Sequence, residues 1–131
     1  MQQIRPGEAS EGQRILVVED NEFTRAIAGR AVEMSGRSVV TCGTAAQAYE
    51  ALAVTAFDVV LVDLNLPDAT GILVLSTVAA VLPNATRLLM TADAGGGRAA
   101  SADHGDLIER LLLKPLGTAR LLSILDDLED I

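Results

Sequence analysis

The stretch Phe57 to Gly71, FDVVLVDLNLPDATG, limits what this chain can fold into more than any other. Val59-Val60-Leu61-Val62 is an apolar, largely β-branched run of strand length. It has no polar position on either face, as expected of a strand buried on both sides. The run ends abruptly in the carboxylate of Asp63. Pro67 then turns the chain, and Gly71 permits the next segment to pack closely. A carboxylate at the carboxyl end of a buried parallel strand stands where open α/β sheets bind ligands and do chemistry. Taken alone, Asp63 reads equally well as a turn cap, so the remaining sequence has to decide.

The rest of the chain repeats the alternation of strand and helix. Residues 1–13 are rich in Gln, Glu, Gly and Ser and read as a flexible tail, with one folded domain over 14–131. Arg14 to Val18 is a first buried strand that runs straight into Glu19-Asp20. Asn21 caps the first helix, in which Phe23, Ile27, Ala31 and Met34 recur at helical spacing and Gly36 supplies the stop. Ser38 to Cys42 is a short second strand. Thr44 and Gln47 have capping-box spacing, and the helix they open places Ala45, Ala48, Tyr49 and Leu52 on one face. After the central strand, a helix spans Gly71 to Leu82. Thr86 to Met90 is a fourth strand, ending in Thr91-Ala92. Three consecutive glycines, Gly95 to Gly97, predict a short or late-starting helix, since each weakens a helix by about 1 kcal/mol relative to Ala. Leu107 to Leu113 contains a fifth strand that ends at Lys114-Pro115. A last helix spans Thr118 to Leu128, with Leu121, Leu122, Leu125 and Leu128 facing inward. Five strands alternating with helices predict a doubly wound parallel sheet with helices on both faces.

Composition narrows the function. The 131 residues suffice for one domain with a real core. With Phe23, Tyr49 and Phe57 as the only aromatics, that core must be aliphatic. A net charge of −8 argues against a direct nucleic-acid or anionic-membrane surface, because nothing here neutralises a row of phosphates. Cys42 is the sole cysteine, which rules out an internal disulfide and a thiolate metal cluster and leaves an inert buried thiol. The polar N-terminus lacks the apolar core of a signal peptide, and no apolar run is long enough to span a membrane. A cytoplasmic location is expected.

A parallel sheet gathers the carboxyl ends of all its strands on one edge. That edge receives Glu19 and Asp20 from the first strand, Asp63 from the third, Thr91 from the fourth and Lys114 from the fifth. Three carboxylates repel one another unless a cation neutralises them. All-oxygen ligation favours a hard ion, and a loose acidic cluster completed by water suits Mg²⁺. A metal beside a carboxylate, a lysine and a hydroxyl makes a phosphoryl-transfer site, in which an aspartate can be the nucleophile.

The motifs Leu16-Val17-Val18-Glu19-Asp20, Leu61-Val62-Asp63-Leu64-Asn65-Leu66-Pro67 with Gly71, Met90-Thr91-Ala92 and Leu113-Lys114-Pro115 together resemble the receiver domain of bacterial two-component response regulators. The resemblance covers about residues 13–131. It implies a flavodoxin-like fold with strand order 2-1-3-4-5. It further implies that Asp63 accepts a phosphoryl group from a phosphohistidine, on a sensor histidine kinase or a histidine phosphotransfer protein. Asp20 and Asp63 would ligate Mg²⁺, Glu19 through water, and Asn65 through its backbone carbonyl. Lys114 would bridge to the acceptor and then to the phosphoryl group, and Thr91 would hydrogen-bond the arriving phosphoryl oxygen. Ala92 is small and would leave the acceptor open. Such a protein modifies only itself and is not a turnover enzyme.

Two positions depart from the family pattern, both on the output side. Leu111 stands three residues before the lysine, where the family usually carries a Tyr or Phe that swings inward as the threonine moves. The glycine run falls at the fourth helix, which implies that this region responds to phosphorylation by ordering. The uncharged helix Gly71 to Asn84 is apolar on two faces, Ile72-Leu75-Ala79-Leu82 and Val74-Val78-Val81. It is therefore either deeply covered or a surface for self-association or a downstream protein partner. The acidic end Asp126-Asp127-Leu128-Glu129-Asp130-Ile131 opposes the helix dipole. It reads as a solvated, fraying end or as the junction to an output domain. His104 and Arg98 read as solvent-exposed. An aspartate-nucleophile phosphohydrolase is disfavoured, because Asn65 stands where those enzymes need a second, proton-transferring aspartate. A receiver-like interaction module that works without phosphorylation is the alternative.

Overall fold

The computed structural model describes residues 12–129. Five parallel strands form one sheet: β1 (Arg14–Val18), β2 (Ser38–Cys42), β3 (Val59–Asp63), β4 (Thr86–Thr91) and β5 (Arg110–Leu113). Their order is β2-β1-β3-β4-β5. The connecting helices are α1 (Glu22–Met34), α2 (Ala45–Val54), α3 (Gly71–Val81), α4 (Ala94–Asp103) and α5 (Thr118–Glu129), with a short 3₁₀ turn at Gly105–Leu107. This is the expected doubly wound, flavodoxin-like architecture. Its strand order reverses between β1 and β3, so the topological switch point falls beside Asp63.

Alternation along the strands divides the core into two layers. Leu16, Val18, Val60, Val62 and Leu89 face Ala45 and Ala48 of α2 and Val74, Leu75 and Val78 of α3. Ile15, Val17, Val59, Leu61, Leu88 and Met90 face Val32 of α1 and Leu121, Ile124 and Leu125 of α5. β3 is buried at all five positions, as its unbroken apolar run requires. Each fully buried aliphatic side chain stabilises the fold by about 2 kcal/mol. Phe57 is the one aromatic side chain in the core.

Local signals hold the helix ends. Asn21 Oδ1 accepts the Thr24 N–H at 2.8 Å at the start of α1. Gly36 takes φ +92°, the left-handed turn that lets the chain leave α1 for β2. Thr44 Oγ1 accepts the Gln47 N–H at 3.0 Å. Gln47 reaches back one residue beyond the box, accepting from Gly43 N–H at 2.7 Å.

Several expectations are corrected. The α1 stripe faces outward: Phe23 is 75% exposed and Met34 73%, whereas Gly29 and Val32 are buried. The small face wins because α1 packs closely on β2, where a Cβ at Gly29 would lie 2.8 Å from Thr41 Cγ2. α4 is neither short nor late. It starts at Ala94 and runs for 10 residues. Asp93 Oδ1 caps it by accepting the Gly96 N–H at 3.0 Å, and this cap with close packing overrides the weak glycine propensity. Any ordering response there would act on a helix that the structure already shows in place. In α5, Ile124 joins Leu121 and Leu125 in the core, while Leu122 and Leu128 are only partly buried. α3 is covered along the seam between its two apolar faces: Val74, Leu75 and Val78 are buried, Leu73 and Val81 exposed.

Both chain ends of the described region are tied together by Arg37, a residue with no local motif around it. Arg37 is buried, and its guanidinium donates to Gln13 Oε1 at 2.5 Å, Ser35 Oγ at 2.9 Å and Asp126 Oδ1 at 2.5 Å. Glu129 lies 3.4 Å from the same guanidinium. Gln13, assigned to the tail, is thus buried and also donates to Leu125 O at 3.2 Å. Asp126 and Glu129 are ion-paired rather than fraying. The rest of the expected tail, residues 1–11, and Asp130-Ile131 lie outside the described residues.

Candidate functional site

Backbone rungs continue past the ends of the strands and fix the groups at the carboxyl edge. Glu19 N–H donates to Cys42 O at 2.9 Å, Leu64 N–H to Met90 O at 2.9 Å and Lys114 N–H to Thr91 O at 2.9 Å. Three loops are therefore held in register by the same ladder that holds the sheet. Strand parity places Glu19 and Asp63 on the α1/α5 layer, with Ile15, Val17, Val59 and Leu61. It places Thr91 on the opposite layer with Leu89, facing α4.

Lys114 joins the acidic groups. Its Nζ donates to Glu19 Oε1 at 2.6 Å and to Asp63 Oδ2 at 2.8 Å. Burial alone would pull this ammonium down, but the hydrogen bonds it donates to Asp63 and Glu19 outweigh that and hold its pKa above the ordinary lysine value. Glu19 is fully buried, and its second oxygen accepts the Asn21 N–H at 2.9 Å. Asp63 is buried apart from its tip. Its Oδ1 has only a long 3.4 Å contact with the Asn65 N–H. Asp20 is exposed at the rim. Oxygens of Glu19, Asp20 and Asp63 all lie within 4.8 Å of one another. Three carboxylates and one ammonium leave a formal charge of −2, which a divalent cation would balance. The donor set is all oxygen, so the residues present fit a hard ion such as Mg²⁺.

Four of the expected site residues, Glu19, Asp20, Asp63 and Lys114, are thus brought together. Asn65 comes two residues after Asp63, in a loop closed by an antiparallel bridge between Asn65 and Thr70. Gly71 explains that loop's tightness. A Cβ there would overlap the Asp63 carbonyl oxygen and lie 2.9 Å from Val62 Cγ1. Thr91 is buried, and its Oγ1 accepts the Asp93 N–H at 3.0 Å. Leu111 is half-buried and does not stand alone: it and Thr91 receive α4 at Gly97, where a Cβ would lie 2.8 Å from Thr91 Cγ2 and 2.9 Å from Leu111 Cδ1.

One feature of the site is not foreshadowed by the motifs. A cavity of about 420 Å³ lies between α1 and α5, lined by Phe23, Ile27, Ala92, Pro115 and Leu116, with Glu19 and Lys114 also in its wall. The α1 stripe is its signal in the sequence, concealed by the assumption that an apolar stripe faces inward. Cys42 is buried, and burial pushes its thiol up, as an inert core cysteine requires. His104 and Arg98 are exposed. Among the described residues, no helix is long and apolar enough to cross a membrane.

Fold and site define a doubly wound α/β protein with an acidic, lysine-bearing carboxyl edge. The chain belongs to the response regulator receiver domain family, whose model matches residues 15–126. It is 43% identical over 63 residues to the sensor protein TorS of Escherichia coli, covering 47% of this chain and 7% of TorS. It is 29% identical over 119 residues to the sensory/regulatory protein RpfC of Xanthomonas campestris, covering 88% of this chain and 16% of RpfC. The chain thus spans a small part of either relative. Among solved structures, a CheY-like receiver domain from Methanospirillum hungatei superposes with a TM-score of 0.81 at 24% identity, covering 90% of this chain and 94% of that one. The response regulator TrrA of Thermotoga maritima, in complex with Mg²⁺-BeF, superposes with a TM-score of 0.76 at 20% identity, covering 88% and 98%.

Proposed function

We propose that this chain is a phosphoacceptor in two-component signalling, with Asp63 as the residue modified. The observation that carries the reading is the Lys114 ammonium held between Asp63 and Glu19 beside the exposed carboxylate of Asp20. An oxygen of Asp63 attacks the phosphorus of a phosphohistidine, the P–N bond breaks, and the electron pair leaves with the imidazole, which takes up a proton. Lys114 then tracks the charge from the Asp63 carboxylate to the phosphoryl oxygens. Asp20, Asp63 and the Asn65 carbonyl would hold Mg²⁺, with Glu19 acting from behind through water; the ion supplies charge neutralisation to the phosphoryl oxygens. Glu19 also accepts from Asn21 N–H and from Lys114 Nζ, so it orients Lys114 as well.

The donor is a histidine kinase or a histidine phosphotransfer protein. The apolar cavity between α1 and α5, whose wall includes Ala92 and the Lys114 that bonds Asp63, supplies ground for it. Asn65 cannot act as an acid or base, so the chain catalyses its own modification and turns over no external substrate. Its place is the cytoplasm, where such donors present their histidines. The response passes through Thr91. If its hydroxyl turns to the phosphoryl oxygen, Asp93 loses a hydrogen bond and Gly97 loses its seat, so α4 moves and changes the surface offered to a partner or a second copy.

The test is intact mass after incubation with a small-molecule acyl phosphate, with and without MgCl₂, on wild type and Asp63→Asn. A Mg²⁺-dependent phosphoryl adduct that is absent from the variant is expected. No adduct on a wild type that binds Mg²⁺ would favour an interaction module that works without phosphorylation.

A further inference from the structure

The acceptor loop, residues 64–70, carries Asn65 and is tied in two ways. The first is local: the Asn65–Thr70 bridge and a 3.1 Å hydrogen bond from Leu66 N–H to Ala69 O close it on itself. The second crosses the sheet edge. The Asp68 carboxylate accepts the Ala45 N–H at 2.8 Å and the Ala46 N–H at 3.0 Å. These are the first two amides of α2, which have no acceptor within the helix. The two bonds hold the Asp68 carboxyl below the ordinary aspartate range.

The same short turn grips the other ligand-bearing loop. Arg25 Nη1 donates to Glu19 O at 2.9 Å, and a Cβ at Gly43 would come within 2.8 Å of that nitrogen. Glu19 N–H bonds Cys42 O just before the turn. Gly43 to Ala46 contributes no ligand of its own, yet it receives the Asp68 carboxylate and lies against Arg25, which holds Glu19 O. Arg25 ties the first loop. Among the described residues, Asp68 is the side-chain tie of the second loop to α2, beside the backbone bond from Leu64 N–H to Met90 O at 2.9 Å.

We infer that Asp68 is a positioning residue for the divalent ion, setting the Asn65 carbonyl at its distance from Asp20 and Asp63. The inference rests on the metal reading given above. Mg²⁺ demands near-ideal octahedral geometry, so a loop free to drift would have to be ordered when the ion binds. The Asp68 staple removes that ordering in advance. The residue touches neither ion nor phosphoryl group. Its loss should therefore weaken metal affinity and leave the transfer rate at saturating metal alone.

The test is calorimetric titration of MgCl₂ into unphosphorylated wild type, Asp68→Ala and Asp68→Asn, with adduct formation from an acyl phosphate measured over the same MgCl₂ range. Asp68→Ala should weaken Mg²⁺ binding by about tenfold, the lower end for lost outer-shell partners. Asp68→Asn keeps one acceptor oxygen and should recover part of the loss. Adduct formation at saturating MgCl₂ should match wild type in both. An unchanged affinity in Asp68→Ala overturns the inference alone, and so does an Asp68→Asn as weak as Asp68→Ala. If Asp68→Ala does not fold, Asp68→Asn decides: wild-type affinity overturns, an intermediate one supports. A wild type without measurable Mg²⁺ binding overturns the metal reading itself, before any variant is compared.

Discussion

Gly97 of α4 rests directly on Thr91 of β4: a single added Cβ would stand 2.8 Å from Thr91 Cγ2. The residue proposed to sense a phosphoryl group therefore touches the helix proposed to report it, with Leu111 as the third member of the contact. Gly97→Ala should uncouple the two. The gain of about 1 kcal/mol in helix propensity offsets much of the crowding, so the melting temperature should change little. The acyl-phosphate adduct should form as in wild type. The difference in α4 amide exchange between modified and unmodified protein should shrink; an undiminished difference would count against coupling through this contact.

Lys114→Met should leave Glu19 and Asp63 buried without their cation and destabilise the protein by about 3 kcal/mol. The pH dependence carries a sign. The folded-state pKa of Lys114 is raised above the ordinary lysine value of 10.5, so its contribution is whole below pH 10.5 and is lost as pH rises through the folded value. Denaturant titrations of both proteins should show their stability gap constant at neutral pH and closing above pH 10.5. A gap unchanged by alkaline pH would contradict the ion-pair geometry.

Gly71→Ala should damage fold and chemistry together. The added methyl meets backbone at the Asp63 carbonyl, which has no rotamer by which to yield. A loss of about 3 kcal/mol is expected by urea titration, with a weaker phosphoryl adduct because the acceptor's own peptide must shift.

Arg37→Met separates stability from chemistry. The guanidinium holds Gln13, Ser35, Asp126 and Glu129 near the amino ends of β1 and β2, at the edge away from the acceptor. Leaving Gln13 and Ser35 without their donor should cost about 2 kcal/mol. The adduct yield of the folded fraction should equal that of wild type.

Much of the fold and site was legible because few solutions exist for a β3 that is apolar on both faces and ends in Asp63. Strand ends in a parallel sheet converge, so the motifs at Glu19, Asp63, Thr91 and Lys114 could be joined without coordinates. What was not legible depended on a partner across space. The Phe23 stripe looked inward because periodicity gives a face and not its direction; the approach of Gly29 to Thr41 gave α1 its direction. The glycines of α4 looked like a break because propensity ignores Asp93 and the seat on Thr91. Arg37 gave no signal because its acidic partners lie 89 or more residues away. Asp68 read as part of a turn, and nothing local pointed to Ala45 and Ala46.

Strand parity sends the side chains of Glu19 and Asp63 to one layer and that of Thr91 to the other. The sheet therefore works as a partition with one opening, at its carboxyl edge. If Asp63 accepts a phosphoryl group as proposed, substitutions on the α4 side should change the response without disturbing phosphorylation, and those on the α1/α5 side should change the choice of donor without altering the response. Leu111 and the glycines Gly95 to Gly97 stand on the α4 side of this wall, while Glu19, Asp63 and Lys114 gather at the opening. A single layer of five strands stands between the two halves.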